Sequence, residues 1–573
     1  MIGAPGRHGG YAWLGIPYAD PPEGALRWRA PRALAPRSGT HKALSFGSPC
    51  PQFANFLGGD ESVPPGTLVG DENCLFLNVY SPALAPDQLP SRQRRLPVML
   101  WIYGGGNTIG TSSFYDGSAL ATRENVIVAT VNYRLGPLGW LRHAALRKGS
   151  DPIDASGNFG TLDLILALEW VRTNIASFGG DPDNITLFGE SAGGWNVLSL
   201  LTSPLTRGLF HRAISQSGVT WSATPAEAEN FWDASEPGSR QSSGELLLKL
   251  LQSDGTAVDR EAAKQTLARW SKSETAQYLR GKSVEEIYTA YGKFKSIPLV
   301  FRDGTVLPSA PLAQQLEAPN GIHPVPLILG TNRNEERIFL FLDPEYVRWW
   351  FWYYPKLRDP QRYYRNAAYM TRIWKAIAVD EVAHSLARHR PGSVFAYRFD
   401  WDEEPRISGA DLPEMLGASH GFEIPFVFGH WYMGSEGAQL FTPENAEGRE
   451  ALSATMMSYW AEFARNGDPA RGSRGDAIRW TAWEPGADHF AILDTPAGGG
   501  VSMARSTQSI ASVVSDILAD SSFDDTRERC HALNVVWRWA RLKFPADAYR
   551  SIADGLCSDF PLQPTPGTRP PSD

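Results

Sequence analysis

Asn184-Ile185-Thr186-Leu187-Phe188 runs straight into Gly189-Glu190-Ser191-Ala192-Gly193, and Trp195 to Leu201 follows as a segment able to continue as a helix. An apolar strand, a G-x-S-x-G turn and a helix in that order form the setting of a nucleophile elbow. The flanking glycines leave room for a serine backbone held in a strained conformation. The strain lifts the hydroxyl off the strand end to where a histidine can reach it. The N-terminal amides of the following helix favour negative charge developing at the same place.

The rest of the chain extends this pattern. Pro97 to Tyr103 reads as a buried strand ending at Gly104-Gly105-Gly106, and Val126 to Tyr133 as another, closed by Leu135-Gly136-Pro137. Leu162, Leu166, Leu168 and Val171, set among Asp163 and Glu169, mark a helix. Further strands are read at Ala213 to Ser217, Val325 to Gly330 and Val394 to Phe399. Continuous apolar strands separated by helices predict a large, mainly parallel central sheet with helices on both faces. Ligands of such sheets bind at the carboxyl ends of the strands, where the glycine triplet and the elbow sit. The more polar stretch 225–320, with its patch Glu245 to Leu251, reads as a helical insertion.

The chain has 573 residues and 20 tryptophans, with no Gly/Ser linker, long charge block or internal repeat. One α/β domain over residues 1–560 with long insertions is expected, then a proline-rich, disordered tail over 561–573. The net charge of -8 supplies no basic surface for nucleic acid. The apolar runs are strand-length, too short to span a membrane. Met1 to Gly6 has no charged stretch followed by an apolar one, so no signal peptide is read. Four cysteines fall in two pairs, Cys50 with Cys74 and Cys530 with Cys557. Buried thiols and closed loops both fit the count, and closure would stabilise each loop by roughly 3–4 kcal/mol. Neither pair has metal-ligand spacing or a nearby histidine, so no metal is expected.

A serine hydroxyl needs a base to take its proton, and the base needs an acid to hold its tautomer. After an elbow of this kind the acid and then the histidine follow along the chain. Of eleven histidines, His420 stands out in the glycine-flanked segment Gly417-Ala418-Ser419-His420-Gly421-Phe422-Glu423. A neutral histidine base would place the acid limb of kcat/KM near pH 6–7.

From about residue 11 to residue 485 the chain resembles the type B carboxylesterase and cholinesterase family of α/β-hydrolases. The resemblance rests on Leu14 to Ala19 with Pro21-Pro22 and Leu26-Arg27, Glu72 to Val79, Asn132 to Gly136, Phe178 to Pro182 and Phe188 to Gly194. It implies the α/β-hydrolase fold and a serine carboxylesterase acting on small-molecule esters without a cofactor. Ser191 matches the nucleophile and His420 the general base. Gly330-Thr331-Asn332-Arg333-Asn334-Glu335 resembles the acid motif and assigns Glu335. The family usually has glycine next, where this chain has Glu336, so Glu336 is the alternative acid. Gly105 and Gly106 match the family's oxyanion-loop donors, joined by the Ala192 amide. Glu190 and Ser217 match positions that support the histidine and the acid. Asn107 replaces a usual aromatic residue, which bears on the acyl pocket. The resemblance also implies a Cys50–Cys74 disulfide, whereas Cys530 and Cys557 lie beyond it.

Relatives begin further upstream, so a truncated or processed start is expected, with secretion or a periplasmic location favoured by oxidised cysteines. The oligomeric state stays open. Adhesion proteins of similar fold lack a triad member, and here all three positions are filled. Cholinesterase, triglyceride lipase and specialised polar-ester hydrolase remain alternatives. Cholinesterases place a choline-binding tryptophan in the first disulfide loop, where this chain has only Phe53 and Phe56. Residues 340–375, rich in Trp349, Trp350, Trp352, Arg358, Arg362 and Arg372, read either as helices covering the core or as a gorge wall or lid selecting acidic esters.

Overall fold

The computed structural model describes residues 1–562 except 36–37, 56–61, 85–89, 148–150, 293–297, 351–353, 408–409 and 506–507. Phe56, Trp352 and the tail from residue 563 therefore lie outside the described residues. Eleven strands build one sheet: β1 (Ala4–Pro5), β2 (Tyr11–Pro17), β3 (Phe76–Ser81), β4 (Leu96–Ile102), β5 (Ile127–Val131), β6 (Gly180–Glu190), β7 (Arg212–Gln216), β8 (Leu327–Asn332), β9 (Val394–Phe399), β10 (His489–Leu493) and β11 (Ser502–Arg505). Their spatial order is β1-β2-β3-β5-β4-β6-β7-β8-β9-β10-β11. Neighbours from β5 across to β10 are parallel. The pairs at the two edges are antiparallel.

Every residue of β4 and β5 is buried, as a parallel sheet covered on both faces requires. Helix α1 (Phe159–Asn174) precedes β6, and α2 (Ala192–Thr202) leaves it immediately after the serine. The strand readings from the sequence hold to within a few residues. Residues 245–251 fall inside a helix, Ser243–Ser253.

Two of the distant sequence segments meet as ion pairs. Arg27 Nε donates to Glu72 Oε1 at 2.7 Å. Arg134 donates to Asp163 Oδ2 from Nε at 2.8 Å and to Oδ1 from Nη2 at 2.7 Å. The Arg134 and Asp163 side chains are only 3% and 0% exposed, so removing either partner strands a buried charge. Asp163→Ala is expected to lower unfolding free energy by about 3–5 kcal/mol, as read by urea denaturation. A loss below about 1 kcal/mol, the scale of an exposed ion pair, would contradict this.

Both cysteine pairs are disulfides, with Cα separations of 4.9 Å for Cys50–Cys74 and 5.5 Å for Cys530–Cys557. The second anchors helix α5 (Thr526–Trp539). Region 340–375 divides into three parts: a short helix α3 (Arg337–Phe341) runs into it, an antiparallel hairpin of Val347–Trp350 and Tyr354–Leu357 follows, and then helix α4 (Pro360–Lys375). The helical reading holds for α4, which buries Tyr363, Ala367, Ile373 and Trp374. It fails for the hairpin, where Trp349 and Trp350 are 41% and 47% exposed.

Candidate active site

Strand β6 delivers Ser191 to a turn with φ 56° and ψ -121°, a positive-φ conformation that costs a non-glycine residue about 1–3 kcal/mol. The turn closes because its neighbours lack side chains. A Cβ on Gly189 would stand 2.6 Å from the Ile102 carbonyl oxygen, and one on Gly193 would collide with that same oxygen. The Ser191 amide donates to the Gln216 carbonyl on β7 at 2.8 Å, fixing the turn to the sheet. The Ser191 side chain is half-buried, and its hydroxyl makes no hydrogen bond among the described residues.

His420 approaches from the loop after β9. Its Nδ1 meets Glu335 Oε2 at 2.6 Å. The other oxygen of Glu335 accepts from Ser217 Oγ at 2.6 Å, Thr331 Oγ1 at 2.8 Å and the Asn332 amide at 2.6 Å. Glu335 is thus fully buried and held by three donors, with one oxygen left for the imidazole. Glu336 points elsewhere: its Oε2 is buried without a hydrogen-bond partner. His420 Nε2 stands 3.0 Å from Glu190 Oε1 but out of hydrogen-bonding alignment, since neither atom is hydrogen-bonded. Trp374 packs against the imidazole at a tilt, with centroids 4.6 Å apart, and Phe339 lies 5.3 Å away.

Buried carboxyls crowd this imidazole. Burial pushes Glu190 up to about 8, against the pull of His420, and does the same to Glu336. Burial also raises Glu423, whose oxygens accept from Asn332 Nδ2 at 2.6 Å and Gln216 Nε2 at 3.1 Å. For His420 burial works downward, but Glu190 and then Glu335 raise it, to about 9. The local field therefore favours an imidazolium.

The amides of Gly105, Gly106 and Ala192 donate to nothing among the described residues, and Gly105 and Gly106 are half-buried rather than sealed. They come from two segments, the loop after β4 and the start of α2. Asn107 joins these segments: its Oδ1 accepts from Asn196 Nδ2 of α2 at 2.9 Å, and its carbonyl accepts from the Gly136 amide at 2.7 Å. With 0% exposure, Asn107 is part of the scaffold behind the loop and not of a pocket wall.

The sequence named Ser191, Glu335, His420, Glu190, Ser217, Gly105, Gly106 and Ala192; of these, Glu335, His420, Ser217 and Glu190 meet directly, and Ser191 and Ala192 follow Glu190 in the chain. It missed Glu423, Asn332, the Asn107–Asn196 bridge and Trp374. Glu423, three residues past His420 in the same loop, was the one with a readable signal. The arginines of 340–375 are occupied elsewhere. Arg362 binds Glu345 at 2.5 Å, Arg358 donates to the Pro344 carbonyl at 2.9 Å, and Arg372 pairs with Asp516. Among the described residues no group of three or more metal-ligating side chains is found.

A mainly parallel sheet with a strained serine between strand and helix, and a histidine–glutamate pair against the Glu190 that precedes that serine, defines the α/β-hydrolase class. The profile of the carboxylesterase family matches residues 4–349 and 345–508. The chain is 33% identical over 533 residues to a human cocaine esterase, covering 85% of this chain and 84% of that protein. It is 32% identical over 509 residues to the para-nitrobenzyl esterase of Bacillus subtilis (strain 168), covering 85% and 92%. Among solved structures, a PNB esterase superposes with TM-score 0.61 at 28% identity, over 88% of this chain and 97% of that one. A Geobacillus stearothermophilus carboxylesterase gives TM-score 0.63 at 26% identity, over 88% and 98%. The chain belongs to the carboxylesterase family, and it is a carboxylic ester hydrolase. Helix α5 lies beyond the residues that the family profile matches, yet its Trp539 packs at a tilt against Trp374 at 5.0 Å and so backs the site.

Proposed function

We propose that this esterase works through an acyl-enzyme formed on Ser191, with His420 as general base and Glu335 as the acid that orients it. The observation that carries the reading is the 2.6 Å contact of His420 Nδ1 with a Glu335 carboxylate otherwise saturated by three donors. That contact holds the proton on Nδ1 and leaves Nε2 to take the serine proton. The tetrahedral oxyanion is received by the free amides of Gly105, Gly106 and Ala192, each such donor being worth roughly 2.7–4 kcal/mol. The alcohol leaves with the proton from His420, and the same histidine then activates water. Residues 1–560 act in this reading as one catalytic domain, supported by the contact of α5 with the site. The two disulfides favour an oxidising compartment.

The mechanism is tested by partitioning. Esters sharing an acyl group but differing in alcohol, hydrolysed with added methanol, are expected to give one constant ratio of acid to methyl ester. A ratio that changes with the leaving alcohol would contradict a common acyl-enzyme.

Because the base must be neutral, the raised His420 pKa sends the acid limb of kcat/KM above the ordinary histidine value of 6.5. Glu190→Gln removes its largest raising charge and is expected to move that limb down by about one unit. A pH profile on a neutral ester reads this, and an unmoved limb would show that Glu190 carries no charge there.

We also infer a preference for uncharged alcohols. The loop closed by Cys50 and Cys74 contains no tryptophan, so the best cation–π partner for a quaternary ammonium, worth roughly 0.5–2 kcal/mol, is missing from it. Neutral short-chain or aryl esters are expected to exceed choline esters of the same acyl group in kcat/KM. A tenfold preference for the choline ester over its uncharged isostere would overturn this.

A further inference from the structure

The hairpin Val347–Trp350/Tyr354–Leu357 stands apart from the central sheet. Its register sets Arg348 opposite Lys356, Trp349 opposite Pro355 and Trp350 opposite Tyr354. Side chains alternate across paired strands, so Arg348, Lys356, Trp350 and Tyr354 share one face. The other face meets the protein body: Val347 and Pro355 are buried, and the Trp349 ring packs edge-on against Phe341 at 5.2 Å. The first face is bare. Trp350 and Tyr354 are 47% and 44% exposed, and both cations are exposed. The Arg348 guanidinium rests 4.7 Å over the Trp350 ring.

Neither Arg348 nor Lys356 pairs with a carboxylate among the described residues. Like charges directly opposed destabilise a strand pair, and exposed large rings gain nothing from water. Such a face becomes favourable when something anionic, with an apolar layer just beneath, covers it. A bilayer interface has that profile: tryptophan and tyrosine settle at headgroup depth while lysine and arginine meet lipid phosphates. A second copy of the chain fits poorly, because a two-fold contact through this face brings four cations into one interface. The chain's net charge of -8 does not oppose docking in physiological salt, where charges beyond about 8 Å are screened.

We propose that this hairpin face docks the esterase on an anionic phospholipid bilayer, with Trp350 and Tyr354 in the headgroup layer and Arg348 and Lys356 on lipid phosphates. The docking face lies close in sequence and space to the site. Phe341, against which Trp349 packs, ends α3, the helix that carries Phe339, and Phe339 is 41% exposed beside His420. Docking thus sets the rim of the site near the layer into which apolar esters partition. The proposal does not rest on the assignment of the triad.

Flotation of the full chain with equimolar phosphatidylglycerol–phosphatidylcholine vesicles, against pure phosphatidylcholine vesicles, tests it. Binding is expected on the anionic vesicles and is expected to weaken with salt. Arg348→Gln with Lys356→Gln is expected to lower the partition coefficient by about 25-fold, from about fivefold per cation. Trp350→Ser with Tyr354→Ser is expected to lower it on both vesicle types. Turnover of a soluble aryl ester, unchanged in all variants, reports intact folding, and the salt dependence of the unsubstituted chain needs no variant at all. Absence of binding to anionic vesicles at low salt, or partitioning that ignores salt and both double substitutions, overturns the proposal. So does self-association without lipid that the substitutions abolish, which would assign the face to a second copy.

Discussion

Ser191→Ala is expected to lower kcat for a small aryl ester by about 10⁴-fold or more, the scale on which a triad member acts. The thermal midpoint should stay close to that of the unsubstituted chain. The separation of the two effects follows from the geometry. The Ser191 hydroxyl makes no hydrogen bond among the described residues, so its removal strands no buried partner. Its backbone conformation, φ 56°, is imposed by the close approach of Gly189 and Gly193 to Ile102, and alanine inherits it. Activity within tenfold of the unsubstituted chain would remove Ser191 from the mechanism.

The second large effect separates two adjacent glutamates. Glu335→Gln is expected to reduce kcat by about 10⁴-fold, because an amide beside Nδ1 no longer fixes the tautomer that leaves Nε2 unprotonated. Glu336→Gln should change kcat by only a few fold. Its carboxyl is buried, lacks a partner on Oε2, and is pushed by that burial up to about 8, so below that pH glutamine replaces a neutral acid with a neutral amide. If the glutamine at 336 proved the more damaging, the orienting acid would have to be reassigned.

These two glutamates also mark where sequence reasoning ends. Strands such as Leu96–Ile102 were legible because a run buried on both faces is apolar at every position. The elbow was legible because its glycines answer a steric demand that acts within five residues. His420 could be picked out by its loop and Glu335 by the motif that begins at Gly330, but Glu336 in place of the usual glycine left a second carboxylate open beside it. In the structure Ser217, just past the end of β7, and Thr331 of β8 hold one oxygen of Glu335 and leave the other on His420. The Asn107–Asn196 bridge spans 89 positions and leaves no local pattern. The aromatic run from Trp349 failed for a different reason. Apolar composition indicates burial only when something covers it, and two of those rings sit on an exposed hairpin face. The contact of Trp539 with Trp374 was equally invisible, since it depends on a terminal helix tied back by Cys530–Cys557.

The central claim is that Ser191 is the nucleophile of this esterase, and stoichiometric labelling with a fluorophosphonate tests it most directly. Incubation followed by peptide mass spectrometry is expected to find one phosphonyl adduct per chain, on the peptide containing Ser191, with ester hydrolysis lost in proportion to labelling. Full labelling that leaves turnover intact, or inactivation with the adduct on another residue, would contradict the account.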